Sequence, residues 1–189
     1  MQAAFHEIHR CGFRSAGLDA ILSRAGVTKG ALYHHFGSKG DLGLAVLDEI
    51  IRPMVLEHFL DPIEASDDPA GALIEMVRQT AAMTTSEVLV LGCPLNNLAQ
   101  ELSSVDETFR QRMADIFSEW QERLAECLRR GQETGRVRQN LDATSAAAFI
   151  VACWEGSISI GKTTRDENTL QACAEGFVAF AESLRPHAA

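Results

Sequence analysis

An all-α fold is predicted for this 189-residue chain from three features. Apolar residues recur at three- and four-residue steps along most of its length, the period of a helix with one buried face. Glycine and proline gather between those stretches, at a few points. The one run with strand character, Val88 to Leu91, has no second run to pair with, so it reads as a helix end or buried loop. The composition, 46% hydrophobic and 23% charged, suits a chain with a real core.

Three short helices come first. Phe5, Ile8 and Phe13 lie at near-helical spacing, and Gly12 stops the first helix. Leu18, Ile21, Leu22 and Ala25 form the apolar face of the second, which Gly26 ends. Thr28 caps a third by accepting from backbone N–H groups near Gly30 and Ala31. After Gly37, Ser38 caps a longer connecting helix that starts at about residue 38 and carries Leu42, Val46, Leu47, Ile50 and Ile51.

Beyond residue 53 the helices lengthen. Pro62 and Pro69 bracket an expected acidic loop, followed by a helix with Leu73, Val77 and Ala81. Pro94 suits the first turn of a helix through Leu98 and Leu102. Phe109, Met113, Phe117, Trp120, Leu124, Cys127 and Leu128 then mark one long core-facing stripe, ended at "GQETGRV". Asp142 caps a helix bearing Phe149, Ile150, Cys153, Trp154 and Ile158. The last helix, about Glu167 to Leu184, bears Leu170, Cys173, Phe177, Phe180 and Leu184. The prediction is about nine helices, with residues 1–40 as one domain and 41–189 as another.

Charge divides the chain at the same place. The net formal charge is −9, yet residues 1–40 set Arg10, Arg14, Arg24, Lys29 and Lys39 against Glu7 and Asp19, a balance of +3 that leaves −12 for the rest. A basic module on an acidic body points to a polyanion as partner of the module alone. No stretch approaches the ~18 apolar residues of a membrane span, and the N-terminus lacks the basic leader and apolar run of a signal peptide. Five scattered cysteines without a CxxC pair read as reduced thiols, so a cytoplasmic protein with no membrane partner is expected.

The basic module has the organisation of a helix-turn-helix. With Thr28 at the start of the third helix, Leu32 and Phe36 turn inward, while Lys29 and Tyr33, four apart, face outward beside Gly30 and His34. Gly30 and Ala31 allow close approach to a groove. Thr28, Lys29, Tyr33 and His34 offer donors to phosphate oxygens or base edges, and Lys39 is positioned for a flanking phosphate. By periodicity alone, a small helical subdomain with a solvated polar face fits equally well.

Residue identities separate the two readings. "GF…LDAILSRAGVTKGALYHHFGSKGDL", Gly12 to Leu42, closely resembles the DNA-binding motif of TetR/AcrR-family transcriptional regulators. The matching residues are Gly12-Phe13, Ile21, Ala25-Gly26-Val27, Lys29-Gly30, Leu32 to Phe36, and Lys39. The resemblance implies a dimer that binds a palindromic operator through its N-terminal modules, with a helical C-terminal domain that takes an inducer and forms the dimer. It assigns Thr28, Lys29, Gly30, Ala31 and Tyr33 to the recognition helix, and Tyr33, His34 and Lys39 to phosphate. Where the family usually has Thr or Ser as cap and phosphate contact, this chain has Ala16 and Gly17, and Ser15 is the substitute expected. The chain also begins almost inside helix one, where the family has a short basic arm. Either that arm lies outside this sequence, or binding uses fewer contacts and a shallower salt dependence.

The C-terminal domain offers local chemistry. "GCPLNNLAQELSSVDETFRQRM" is similar to a regulator subgroup in which a Gly-Cys pair opens a central helix. Met83, Cys93, Asn96, Asn97, Met113, Phe117, Trp120 and Trp154 could supply the apolar walls and polar groups of an inducer site, or simply core. Cys93, at a helix N-terminus, has a second reading as an electrophile- or redox-sensing thiol, against that of a small buried hydrophobe. The dimer face is expected on the last two helices, through Phe149, Cys153, Trp154, Ser157, Phe177, Phe180 and Leu184, with Ala146, Ala147, Ala148 and Gly156 allowing close approach. His34-His35 lacks a third ligand at useful spacing, so no metal is expected. No cofactor motif and no nucleophile–base spacing occur, so the expectation is a regulator and not an enzyme; a helical small-molecule-binding protein without DNA is the remaining rival.

Overall fold

The computed structural model describes residues 1–83 and 90–186, leaving out the side chains of Ala82 and Met83. Its helices are α1 (Gln2–Cys11), α2 (Leu18–Ala25), α3 (Lys29–His35), α4 (Lys39–Val46), α5 (Arg52–Glu64), α6 (Pro69–Met83), α7 (Pro94–Leu102), α8 (Glu107–Glu133), α9 (Ala143–Thr164) and α10 (Glu167–Ser183). A π-helical turn, Leu47–Ile51, joins α4 to α5 without a break, so the described residues form nine helical rods and no strand. The all-α prediction is borne out. Val88 and Leu89 lie outside the described residues, while Val90 and Leu91 are helical.

Two compact units partition the chain: 1–55 with 94–114, and 56–93 with 115–189. In the first, α1 packs on α2, α4 and the π turn, and α7 packs on that turn. Ala4, Ile8, Ile21, Leu22, Leu32, Leu42, Val46 and Leu98 fill its core. Capping sets the short helices. Gly12, at φ 84, ends α1, and Gly26, in the left-handed region, ends α2 with its N–H bonded to the carbonyls of Leu22 and Ser23. Thr28 Oγ1 accepts from the Ala31 N–H at 3.2 Å, and Ser38 Oγ accepts from that of Asp41 at 3.1 Å. Each such cap contributes about 1 kcal/mol.

The second unit packs α6 against α10 and α10 against α9. Buried positions along α8 are Phe109, Met113, Ile116, Trp120, Leu124 and Cys127. The stripe therefore runs through Ile116, and Phe117 stands half-buried at its edge, because alternating three- and four-residue steps keep to one side of a 3.6-residue helix.

The expected loop from Pro62 to Pro69 is shorter than predicted: Pro62 lies inside α5. An internal proline costs roughly 3 kcal/mol and frees the carbonyl four residues back. That carbonyl belongs to His58, on the exposed side, while Phe59, Leu60 and Ile63 bury the opposite face. The Arg123 guanidinium then grips both Glu64 oxygens at 2.8 Å, and Arg130 donates to the Glu64 carbonyl at 3.1 Å, fixing the last turn. That ion pair also holds the Glu64 carboxyl below its ordinary pKa.

Candidate DNA interface and ligand chamber

The candidate nucleic-acid face is built on α3. Leu32 is 7% exposed and anchors the helix to the core, whereas Phe36 is half-buried and already beyond the helix, in extended backbone. Opposite them, Thr28, Lys29, Gly30, Ala31, Tyr33 and His34 are all exposed. Lys29 Nζ lies 5.9 Å from the Tyr33 ring centroid, so charge and aromatic hydroxyl stand side by side on one surface. Free backbone N–H groups at the start of α3 add donors to the same edge. Gly17, with no side-chain bond, caps α2, so Ser15 does not serve as its cap, although it is exposed nearby in the turn. Arg10 is tied to Glu7 at 2.7 Å, on α1.

Lys39 is engaged within its own unit. Its ammonium donates to the Arg14 carbonyl at 3.2 Å and sits 5.0 Å from the Phe13 ring centroid. The same turn is held from the other side: Glu101 Oε2 accepts from the Phe13 N–H and Oε1 from the Arg14 N–H, both at 2.7 Å. Phe13 packs on Phe109, ring centroids 4.9 Å apart, and a Cβ at Gly43 would lie 2.4 Å from the Phe13 ring.

Within the second unit, aromatic rings form a connected cluster. Phe59 meets Trp120 at 4.8 Å and Trp154 at 5.2 Å, both edge-on, and Trp154 meets Phe177 at 6.3 Å. Phe117 stacks parallel to Trp120 at 6.5 Å. Three polar groups accompany the cluster. The Trp120 indole N–H is fully buried with no acceptor among the described residues. Glu155, 6% exposed, is the neighbour of Trp154 on α9 and shares a hydrogen bond with the buried Cys93 thiol. Burial pushes the Glu155 carboxyl up to about 7, opposed in part by that bond. A cleft of about 40 Å³ opens between α6, α9 and α10, with Trp154, Ser157, Cys173 and Phe177 among its lining.

Of the residues predicted for an inducer site, Cys93, Phe117, Trp120 and Trp154 belong to this second unit, while Asn96, Asn97 and Met113 belong to the first. Met83's side chain lies outside the described residues. Sequence reasoning missed Phe59 and Glu155. The second had a signal: it is the only charged residue between Ala143 and Gly161.

Among the residues predicted for a dimer face, Phe149 is 51% exposed and packs on Phe180 at 4.6 Å. Cys153 and Ser157 are half-buried, while Trp154, Phe177 and Leu184 are buried within the chain. By length and composition α9 could cross a bilayer. Its inward side carries Ala146, Ala147, Ile150, Val151 and Trp154, and its other side leaves Phe149 and Ile160 exposed.

Comparison with known proteins agrees with this arrangement. Residues 1–46 match the family model for bacterial regulatory proteins of the tetR family, and residues 69–177 match the tetracyclin repressor-like C-terminal domain. An uncharacterised HTH-type transcriptional regulator in the lacX 3′ region of Lactococcus lactis subsp. lactis is 34% identical over 166 residues, 87% of this chain and 82% of that protein. The HTH-type transcriptional repressor DhaR of Mycobacterium sp. (strain GP1) is 29% identical, over 84% of this chain and 78% of its own. Among solved structures, the regulatory protein TetR from Rhodobacter sphaeroides superposes with a TM-score of 0.81 at 26% identity, covering 94% of each chain. With residues 1–46 and 69–177 both matched, this chain belongs to the TetR family of DNA-binding transcriptional regulators.

Proposed function

We propose that the protein is a repressor that binds a palindromic operator as a homodimer in the cytoplasm and is released by a small-molecule inducer. Residues 1–40 would engage DNA, and residues 41–189 would bind the inducer and form the dimer. Thr28, Lys29, Gly30, Ala31 and Tyr33 face the major groove, and Ser15, His34 and Lys39 serve the flanking backbone. The observation that carries the reading is the segregation on α3: one buried anchor, Leu32, and an otherwise exposed face of small, basic and hydrogen-bonding residues. Two-fold symmetry would set the recognition helices ~34 Å apart, one turn of DNA. The exposed Phe149 and Ile160, on a helix already apolar inside, support α9 and α10 as the dimer face.

The inducer site is assigned to the aromatic cluster around Phe59, Trp120, Trp154 and Phe177. A buried indole N–H without an acceptor is costly unless a ligand or water supplies one. Glu155 and Cys93 add a second polar point beside Trp154. Inducer acts by its difference in affinity between the operator-competent dimer and other geometries. The role is binding, not catalysis. A footprint on the protein's own upstream region, repeated with a metabolite panel, tests the reading; protection over a palindrome that one metabolite abolishes is expected, and no protected stretch would sink it.

A further inference from the structure

We propose that Glu101 is the positioning residue that locks the helix-turn-helix onto α7, and that its carboxylate sets the angle at which α3 is presented to DNA. The proposal rests on the operator-binding reading above. Glu101 lies in the last turn of α7 and reaches a segment almost ninety positions earlier in the chain, the turn between α1 and α2. One carboxylate oxygen takes the Phe13 N–H and the other the Arg14 N–H, each at 2.7 Å. Short, charge-assisted bonds in this two-point form fix direction as well as distance. Both donors belong to the turn that aims α2, and α3 follows α2 after a three-residue turn that opens on the left-handed Gly26.

Three neighbouring features fit a latch. A Cβ at Gly12 would lie 2.9 Å from Glu101 Oε2, and Gly12 has φ +84, so a bare left-handed glycine is what lets the carboxylate come this close. Lys39 holds the Arg14 carbonyl, which pins the same residue through its following peptide. Phe13, wedged against Phe109 and Gly43, stops the turn from rotating under the two bonds. The route to the inducer site is covalent: α7 has nine residues and begins one peptide bond after Cys93, whose thiol lies with Glu155. A shift at Cys93 would move α7, and Glu101 would carry that movement to the turn.

Glu101→Gln tests this, since it keeps shape but faces one N–H with an amide donor. The first measurement is hydrogen exchange: the Phe13 and Arg14 amides should be protected in the wild type and lose protection in E101Q, with α8 to α10 unchanged. The second is affinity per active dimer for a duplex obtained by in-vitro selection, with the active fraction fixed by stoichiometric titration. A roughly tenfold weaker dissociation constant, at an unchanged salt slope, is expected if the competent orientation falls to about a tenth of the population. A purely structural role would lower the active fraction and the melting point but leave affinity per active dimer alone, and that result would overturn the proposal. So would unprotected Phe13 and Arg14 amides in the wild type, a measurement that stands if E101Q fails to fold. If the wild type selects no duplex, the operator reading fails, and the exchange experiment still decides whether Glu101 holds the turn.

Discussion

Glu155 makes the stability of this protein depend on pH in a direction opposite to that of an ordinary carboxylate. Its pKa is about 7 in the folded chain, against an ordinary 4.5, because burial beside Trp154 disfavours the charged form. Between those values the folded chain holds a proton that the unfolded chain has released. Stability from this group is therefore full below pH 4.5, falls as pH rises toward 7, and stays low above it. At ~1.4 kcal/mol per pH unit, the interval from 4.5 to about 7 corresponds to roughly 3 kcal/mol. Glu155→Gln removes the charge while keeping shape and hydrogen-bonding capacity. The variant should match the wild type near pH 4.5 and exceed it by up to about 3 kcal/mol at pH 8, a rise of roughly 6–12 °C in melting temperature for a chain of this size. Urea unfolding of both proteins at pH 5, 6, 7 and 8, at one protein concentration, measures the difference and cancels every other titration. Parallel pH profiles for the two proteins would refute the argument.

Three further outcomes follow from particular contacts. Gly43→Ala forces its methyl into Phe13 and Phe109, so it should cost about 1–3 kcal/mol in denaturant unfolding and weaken DNA binding through the displaced turn. Lys29→Ala should change base preference in a selection experiment, whereas Lys39→Ala should weaken binding almost equally across sequences, by loss of a phosphate charge or of its bond to Arg14. Cys93→Ser should leave DNA release by N-ethylmaleimide unchanged if Cys93 is a packing and hydrogen-bonding residue; abolished release would favour the thiol-sensing alternative instead.

Much of the candidate DNA face was legible because the determinants of its helices and turns are local. Gly12, Gly26, Thr28 and Ser38 punctuate the chain, each through backbone geometry or a bond spanning three or four residues. Leu32 falls on the inward face and Tyr33 on the outward one by helical periodicity, as their burial and exposure show. The long stripe of α8 was readable for the same reason, although its choice of Ile116 over Phe117 depended on what packs against it. Pro62 was misread as a loop boundary because the local rule weighs the lost N–H and ring clash, while the neighbours that offset them, Arg123 and Arg130, lie some sixty residues away.

The amino-acid order by itself determined the helices, their caps, the split of charge and the outward face of α3, since each depends on steric and hydrogen-bonding preferences within one or two turns. Tertiary structure alone decided which distant groups meet. Nothing in the sequence around Glu101 marks it as the partner of Phe13 and Arg14, because a bond across almost ninety positions leaves no periodic trace. Glu155 stood out in its apolar helix, but that its carboxyl would be buried against the Cys93 thiol, and so titrate near neutrality, was a matter of packing.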